Sequence, residues 1–466
     1  VARIRALPLP RIHELLTMVA QFEKTGEGGT FVEASPPRNV APTLMARGCW
    51  PGIPVLYGIS RWPIFRVDGS LCTKPGYDST TGLLYEPTCD VRVPESPSRD
   101  DARLAIELLL DLLVDFPFVD RRVHETAWLA TLLAIVGRAA IDGPVPLLLI
   151  DASDNGSGKT LLADLLAAIV LGKAAPRRTK PESPEEWKKA MLSLALAALP
   201  LVLLDNVTGT LQSDALDAVL TGTEFQERAL GGNEETTQRF HSVFAVTANN
   251  ALISEDLVRR SLQVRLEPGV ERPEQRTDYR HPELLRHALA RRAELLGSAL
   301  TVLRAYFVAG CPKVPMRPMG SYEEWSRVVR AALIWAGQPD VAVTQDELRD
   351  SANEERTDAS MLLRAWHAYL GEAPTTLADL VDDLARVEIG QYPRKEALRL
   401  ALSTICPAPE GKLPTSRKLG YRIRALTGKV MPGGFVLRRG KHGDRGIPWR
   451  VEQVSPTNAE RGESSS

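Results

Sequence analysis

Cysteine is scarce in this chain and is not arranged for chemistry. Five residues, Cys49, Cys72, Cys89, Cys311 and Cys406, are spread over 466 positions with no C-x-x-C pair and no histidine pattern beside them. That spacing argues against a zinc site and leaves reduced structural thiols in a cytoplasmic protein. No stretch of 18 or more consecutive apolar residues occurs, so a transmembrane helix is not expected. The first residues, VARIRALPLPRIHELL, lack the charged region, apolar core and small-residue cleavage site of a signal peptide. The chain starts on Val1 rather than Met, and residues upstream are expected to be missing. Net charge is also lacking: the formal total of −1 excludes a uniformly basic nucleic-acid coat.

The near-zero total hides a sharp asymmetry. Residues 338–385 carry 11 acidic and 3 basic side chains, whereas 386–450 carry 15 basic and 4 acidic ones. The hydrophobic content of 44% and charged content of 25% are those of a globular chain long enough for several domains. Residues 1–95 alternate short apolar runs with turn signals such as VDGS and PGYD, as a small strand-containing module does. Helical spacing then covers a region at 96–140. From 141 to 270 the pattern becomes strand, loop, helix: VPLLLI (145–150), LPLVLLDN (199–206) and HSVFAVTANN (241–250) are apolar strands with polar endings. Strands apolar on both faces and alternating with helices belong to a parallel sheet covered by helices, an α/β fold that binds ligands at the strands' carboxyl ends. A helical region at 271–340 and an acidic helical linker at 341–385 follow. Helices and a hairpin expected at 386–452 have the order of a basic winged-helix-like module, and 453–466 reads as a disordered tail.

The first strand runs into DASDNGSGKT, the segment 151–160. A phosphate-binding loop points successive backbone N–H groups at phosphate oxygens and adds the partial positive charge of the following helix. Ser153, Asp154, Asn155, Gly156, Ser157, Gly158, Lys159 and Thr160 match that loop, with Ser153 in place of its opening glycine. Lys159 would reach the β and γ phosphates of ATP, and Thr160 would present its hydroxyl to Mg²⁺. Asp205 closes a strand about 45 residues later and would hold the same ion, the alternative being a simple strand-end cap. Asn206 follows it where an acid often activates water. Glu224, in LTGTEFQERALGG, is the first candidate base, and a solvated helix charge is its other reading. Asn249 ends the third strand, where an amide can orient water, with Asn250 able to share that role. Arg259 and Arg260 form a pair suited to completing a neighbouring subunit's site. Arg228 and Arg239 are candidates for DNA-contacting loops, and Phe225 and Phe240 for either core packing or base stacking.

Taken in order, GSGKT, LLDN, LTGTEFQERALGG, TANN and EDLVRRSLQVRL resemble the ATPase core of phage, plasmid and poxvirus primase-helicase proteins, a branch of the superfamily-three helicases within the AAA+ class. Those proteins carry L-T-G-G-D-x-x-x-x-R, here Leu220, Thr221, Gly222, Thr223, Glu224 and Arg228, and an Asp with two arginines, here Asp256, Arg259 and Arg260. The likeness covers about residues 140–270. Residues 54–85 also look like the segment preceding this core in actinobacterial phage or integrated-element proteins, and 419–452 like their winged-helix-like end. Thr223, Glu224, Ser153 and Asn206 depart from the pattern, and no primase motif is visible. The resemblance implies an ATP- and Mg²⁺-dependent DNA helicase or translocase for replication of a mobile element. It implies a homo-oligomeric ring, such as a hexamer, with single-stranded DNA in its channel. Duplex DNA would meet the basic C-terminal module, and no membrane is involved. Two other readings stay open: an AAA+ loader or remodeller of protein, and a nucleotide-binding DNA regulator with little hydrolysis.

Overall fold

A computed structural model describes residues 4, 7–47, 50–152, 156–228, 235–250, 252–268, 278–386, 393–408, 412–431, 433–443 and 446–454; side chains are described for all of these except 227–228, 235–238, 252 and 352–356. The chain forms two compact units, one of residues 1–206, 213–248 and 264–342, the other of 207–212, 249–263 and 343–466.

Short strands at Gly58–Ser60, Gly76–Asp78 and Leu83–Tyr85 make a small sheet near the start of the first unit. Helix α1 (Arg99–Leu110) begins where SPSRDD signals it: the Ser98 hydroxyl caps the Asp101 N–H while the Asp101 carboxylate accepts from the Ser98 N–H. Helix α2 (Arg121–Val136) is buried on almost every side, as its largely apolar run at 127–136 demands. Strand β1 (Leu147–Ala152) is buried along its whole length and leads to helix α3 (Lys159–Leu171). After strand β2 (Arg177–Arg178) come helix α4 (Pro184–Ala197) and strand β3 (Leu201–Val207). Strands β4 (Glu224–Arg228) and β5 (Glu235–Arg239) pair as an antiparallel hairpin with Glu224 opposite Arg239. Strands β6 (Val243–Asn249) and β7 (Ser261–Leu266) complete a five-stranded parallel sheet flanked by helices, in the order β7-β1-β6-β3-β2. Val207, Asn249 and Ser261–Gln263, at the ends of these strands, belong to the second unit. Helix α5 (Arg292–Val308) packs against α1 and α2.

The second unit is built around helix α6 (Val343–Leu370), followed by strand β8 (Thr375–Thr376) and helices α7 (Leu377–Ala385), α8 (Pro393–Ile405) and α9 (Ser416–Ile423). Strands β9 (Val430–Met431), β10 (Phe435–Arg439) and β11 (Pro448–Gln453) form with β8 a four-stranded antiparallel sheet in the order β8-β11-β10-β9. One hydrophobic core joins Leu362 and Trp366 of α6, Leu380 and Leu384 of α7, Leu398 of α8, Leu419 of α9 and Val451 of β11. The acidic stretch and the basic stretch therefore share one core, because the apolar stripes of α6 and α7 face the same interior that the basic segment's helices and sheet close. Among the described residues no helix is long and apolar enough to cross a membrane.

Candidate nucleotide-binding site

The turn between β1 and α3 needs glycine at two places. Gly156 and Gly158 have φ of 79° and 92°, where a side chain is strained, and a Cβ on Gly158 would also lie 3.2 Å from the Phe116 ring. Gly158 caps α3, so the N–H groups of its first turn face the loop. Ser153, Asp154 and Asn155 lie outside the described residues. Lys159 opens α3 and is 9% exposed, with its Nζ donating to Ser157 Oγ at 2.9 Å.

Thr160 and Asp205, 45 residues apart, meet: the Thr160 hydroxyl donates to Asp205 Oδ1 at 3.2 Å. The same oxygen accepts from Thr247 Oγ1 at 2.7 Å, and Thr247 Oγ1 accepts the Asn206 N–H at 2.8 Å. Arg177 stands on the far side of the carboxylate, its Nε 3.6 Å from Asp205 Oδ2 and a terminal nitrogen 3.2 Å from Asp164 Oδ2. A hydroxyl and a carboxylate this close are hard oxygen donors that suit magnesium, which binds protein through one or two such groups and keeps its remaining places for water and phosphate. Sequence reasoning missed Thr247 and Arg177. Thr247 is legible afterwards as a polar residue in an otherwise apolar strand, two places before Asn249 and so on the same face. Arg177 gave no such signal. Asn206 has φ of 54°, a left-handed conformation that Asn adopts more readily than Glu, which gives the departure at this position a backbone reason.

Thr247→Val removes the hydroxyl that holds both Asp205 and the Asn206 N–H while keeping the side chain's shape. If the site hydrolyses ATP with magnesium, turnover should fall about tenfold, as for the loss of one positioning hydrogen bond, and the metal requirement should shift to higher concentration. A variant with wild-type magnesium dependence would show that Asp205 is held without Thr247.

Beside Gly156, Ser157 and Gly158 lies a cavity of about 570 Å³ with walls of Phe116, Pro117, Leu161, Tyr279, Pro282 and Leu284. The 280–281 segment is fastened there by Asp115 Oδ2, which accepts the Arg280 N–H at 2.8 Å, and by Asp111, 2.9 Å from His281 Nε2 and 2.7 Å from Arg280. An apolar chamber opening on a phosphate-type loop can take the base of a nucleotide while the loop takes its phosphates. No local sequence pattern marks it, since its walls come from three distant segments.

The remaining candidate residues have surroundings of their own. Glu224 is exposed at the base of the β4–β5 hairpin, on a strand rather than a helix, and makes no hydrogen bond or ion pair with Lys159, Thr160 or Asp205. Arg239 stacks over the Tyr57 ring at 5.2 Å and lies 3.6 Å from Asp142, so it faces the strand-containing segment. Arg228's side chain lies outside the described residues. Phe225 and Phe240 are buried, and the Phe240 ring stacks on Phe244 at 5.7 Å, which makes them core residues and removes them from base stacking. Asn249 is the last residue of β6 and is assigned to the second unit, as are Asn250, Arg259 and Arg260.

Within that unit the two arginines differ. The Arg259 side chain is 61% exposed, with an ion pair to Asp256 at 2.8 Å, while its backbone carbonyl accepts from Gln345 Nε2 at 2.7 Å. Arg260 is 10% exposed and donates to the carbonyl of Asp256 and, at 3.2 Å, to its carboxylate. Bonding to Arg260 above all, and the nearby charge of Arg259, hold the Asp256 carboxyl below the usual carboxylate range. On α9, Lys418 and Arg422 donate to the carbonyls of Pro407 and Ile405, around the C-terminal end of α8, because those orphan carbonyls are within reach. The exposed face of α9 and the turn after it carries Arg417, Tyr421 and Arg424, at helical spacing, with Lys418 exposed beside them. On β10, Arg438 pairs with Glu452 at 3.0 Å, and Arg439 lies over the Trp449 ring at 5.8 Å.

No family model matches the chain, and no curated protein matches it. Among solved structures it is similar to the A-form apo structure of the NrS-1 C-terminal region, over 95% of this chain and 98% of that one, at 16% identity and a TM-score of 0.36. It is also similar to an active helicase, SCCmec type IV Cch, over 86% of this chain and 92% of that one, at 12% identity and a TM-score of 0.32. A JCV helicase with a bound acetamide compound is similar over 59% of this chain and 74% of that one, at 16% identity and a TM-score of 0.23. At such identities and scores these likenesses carry no functional weight, and function rests on the chain's own residues.

Proposed function

We propose that the chain is an ATP-hydrolysing AAA+ motor that moves along DNA, a superfamily-three type helicase or translocase serving replication of a phage or other mobile element. The observation that carries this reading is the junction of Lys159, Thr160 and Asp205 beside an apolar chamber of nucleoside size. Bound Mg-ATP supplies the phosphoanhydride bond whose hydrolysis drives the motor. Gly156, Gly158 and the first turn of α3 present N–H groups to phosphate, and Lys159 adds a cation held against water by its burial. Thr160 and Asp205 would hold the metal, with Thr247 and Arg177 fixing the carboxylate from two sides. Phe116 and Leu284 would cover the base. Arg259, the exposed member of its pair, would meet the nucleotide of a neighbouring copy in a ring. Strand-end Asn249 and hairpin Glu224 are the proposed water-orienting amide and base, and the mechanism of the anion site does not depend on them.

A second reading, a nucleotide-binding DNA regulator with slow turnover, is favoured by one feature: Asn206, at φ 54°, occupies the place of the usual water-activating acid. ATP hydrolysis by the full chain with and without single-stranded DNA separates the two. A motor gives turnover that DNA stimulates and strand separation of a forked duplex. A regulator binds ATP tightly with neither. In a duplex-binding titration of the full chain, Arg417→Ala with Arg424→Ala should weaken binding nearly equally for all sequences and flatten the log-log salt dependence by up to about two units, if these exposed cations contact phosphates. An unchanged salt slope would remove α9 from the DNA contact. The full chain is required because the core of the basic segment includes Trp366 and Leu380 from the segment before it.

A further inference from the structure

A second cavity, of about 340 Å³, lies in the first unit, with walls that include Tyr57, Trp62 and Phe65 from the strand-containing segment and Arg138, Arg239 and His241 from the sheet-bearing part. It shares no residue with the nucleotide chamber. On its apolar side Trp62 and Phe65 are buried, Trp62 Nε1 donates to the Val136 carbonyl at 3.1 Å, and the Tyr57 ring lies under the Arg239 guanidinium at 5.2 Å.

Its polar side is cationic and incompletely satisfied. Arg138 is anchored by bonds to the carbonyls of Ile141 at 2.7 Å and Phe240 at 3.1 Å, yet its buried Nε has no partner. His241 Nε2 is likewise buried without one. Both orphan atoms are shut off even from water and lie behind the cavity wall, so the cation that can meet an occupant is Arg239, whose side chain is 39% exposed. Two guanidinium groups share one carboxylate, Asp142, which is 3.6 Å from Arg239 and 76% exposed. Burial, and then the positive charges of Arg138 and Arg239, push the His241 imidazole down to about 4, so it is neutral at ordinary pH. Burial, and then Arg239, bring Arg138 down to about 10. A buried cation beside a second one is costly, and an anion placed near them recovers part of that cost.

We infer that this cavity is a binding site for a small anion carrying a planar apolar body, its head group held by Arg239, with the buried charge of Arg138 behind it, and its ring by Tyr57 and Trp62. Carboxylates and phosphate monoesters share the head-group chemistry. The site is distinct from the nucleotide loop and stands whether or not the chain hydrolyses ATP.

The test is calorimetric titration of the full chain with phenyl phosphate, benzoate and the neutral benzyl alcohol, repeated on Lys159→Ala so that binding in the nucleotide loop is discounted. Phenyl phosphate should bind wild type and Lys159→Ala alike and at least about tenfold tighter than benzyl alcohol, since a charge-assisted hydrogen bond is worth about that factor or more. Benzoate binding like phenyl phosphate identifies any anionic head as sufficient, and benzoate failing identifies a phosphate site. Arg239→Gln should weaken the anion about tenfold. That variant decides the matter, because Arg239 is partly exposed, whereas Arg138→Met also cuts two carbonyl bonds and endangers folding. Loss of phenyl phosphate binding in Lys159→Ala, equal binding of benzyl alcohol, or an Arg239→Gln variant that binds like wild type would each overturn the assignment.

Discussion

Replacing Arg259 by alanine is expected to lower ATP turnover by about 10³–10⁵-fold while leaving ATP affinity nearly unchanged, the effect of removing an arginine that stabilises charge only in the transition state. The side chain has the exposure this role requires, and its ion pair with Asp256 is a surface contact that is readily exchanged for phosphate. Arg260→Ala should behave differently. That side chain is buried and spends its donors on the Asp256 carbonyl and carboxylate, so its loss should cost roughly 1–3 kcal/mol of stability, read as a lower Tm. Mixing Arg259→Ala with Lys159→Ala protein tests whether the arginine acts across subunits. Each mixed interface of one orientation combines an intact loop with an intact arginine, and some activity should return. Absence of any recovery, with mixed oligomers verified by mass, would place the arginine's action within one chain or outside catalysis. A folded Arg260→Ala protein without turnover, beside a fully active Arg259→Ala protein, would reverse the two roles.

Lys159→Ala is expected to reduce hydrolysis by at least about 10²–10³-fold, the usual loss when one fixed donor to developing phosphate charge is removed. Its position explains the size. The ammonium is nearly enclosed, bonded to Ser157 at the first turn of α3, so the cation acts in a poorly screened site rather than in bulk water. The fold should survive, because α3 is held by its apolar residues, Leu162, Leu165, Leu166 and Ile169, which are fully buried. Asp205→Ala should share the loss of turnover for a different reason. Thr160 and Thr247 lose their common acceptor and Arg177 loses one of its two carboxylate partners, so magnesium dependence should weaken as well. Wild-type turnover in Lys159→Ala would mean that the loop between β1 and α3 plays no part in hydrolysis.

What the sequence determined by itself was local. The apolar runs at 145–150, 199–206 and 241–250 had to become buried strands. Gly156 and Gly158 permitted a left-handed turn into α3, and Ser98 with Asp101 started α1, because each depends on residues a few positions apart. The pairing of Thr160 with Asp205 was legible too, since the strand–loop–helix pattern brings both to the carboxyl edge of a sheet. Strand order was not, and it decided much. With β6 inserted between β1 and β3, Thr247 comes beside Asp205, a contact no spacing along the chain foretells. Exposure separated Arg259 from Arg260, although neighbours in sequence look alike, because burial is set by what α6 brings against that segment within its unit. On the basic helix, Lys418 and Arg422 have the spacing of a groove-facing pair, and only the fold shows that they donate to the carbonyls at the end of α8. Both cavities are likewise tertiary products. Phe116, Gly158 and Leu284 meet at one, and Tyr57, Arg138 and His241 at the other, across separations over which a sequence specifies residue type but only the folded packing specifies neighbours.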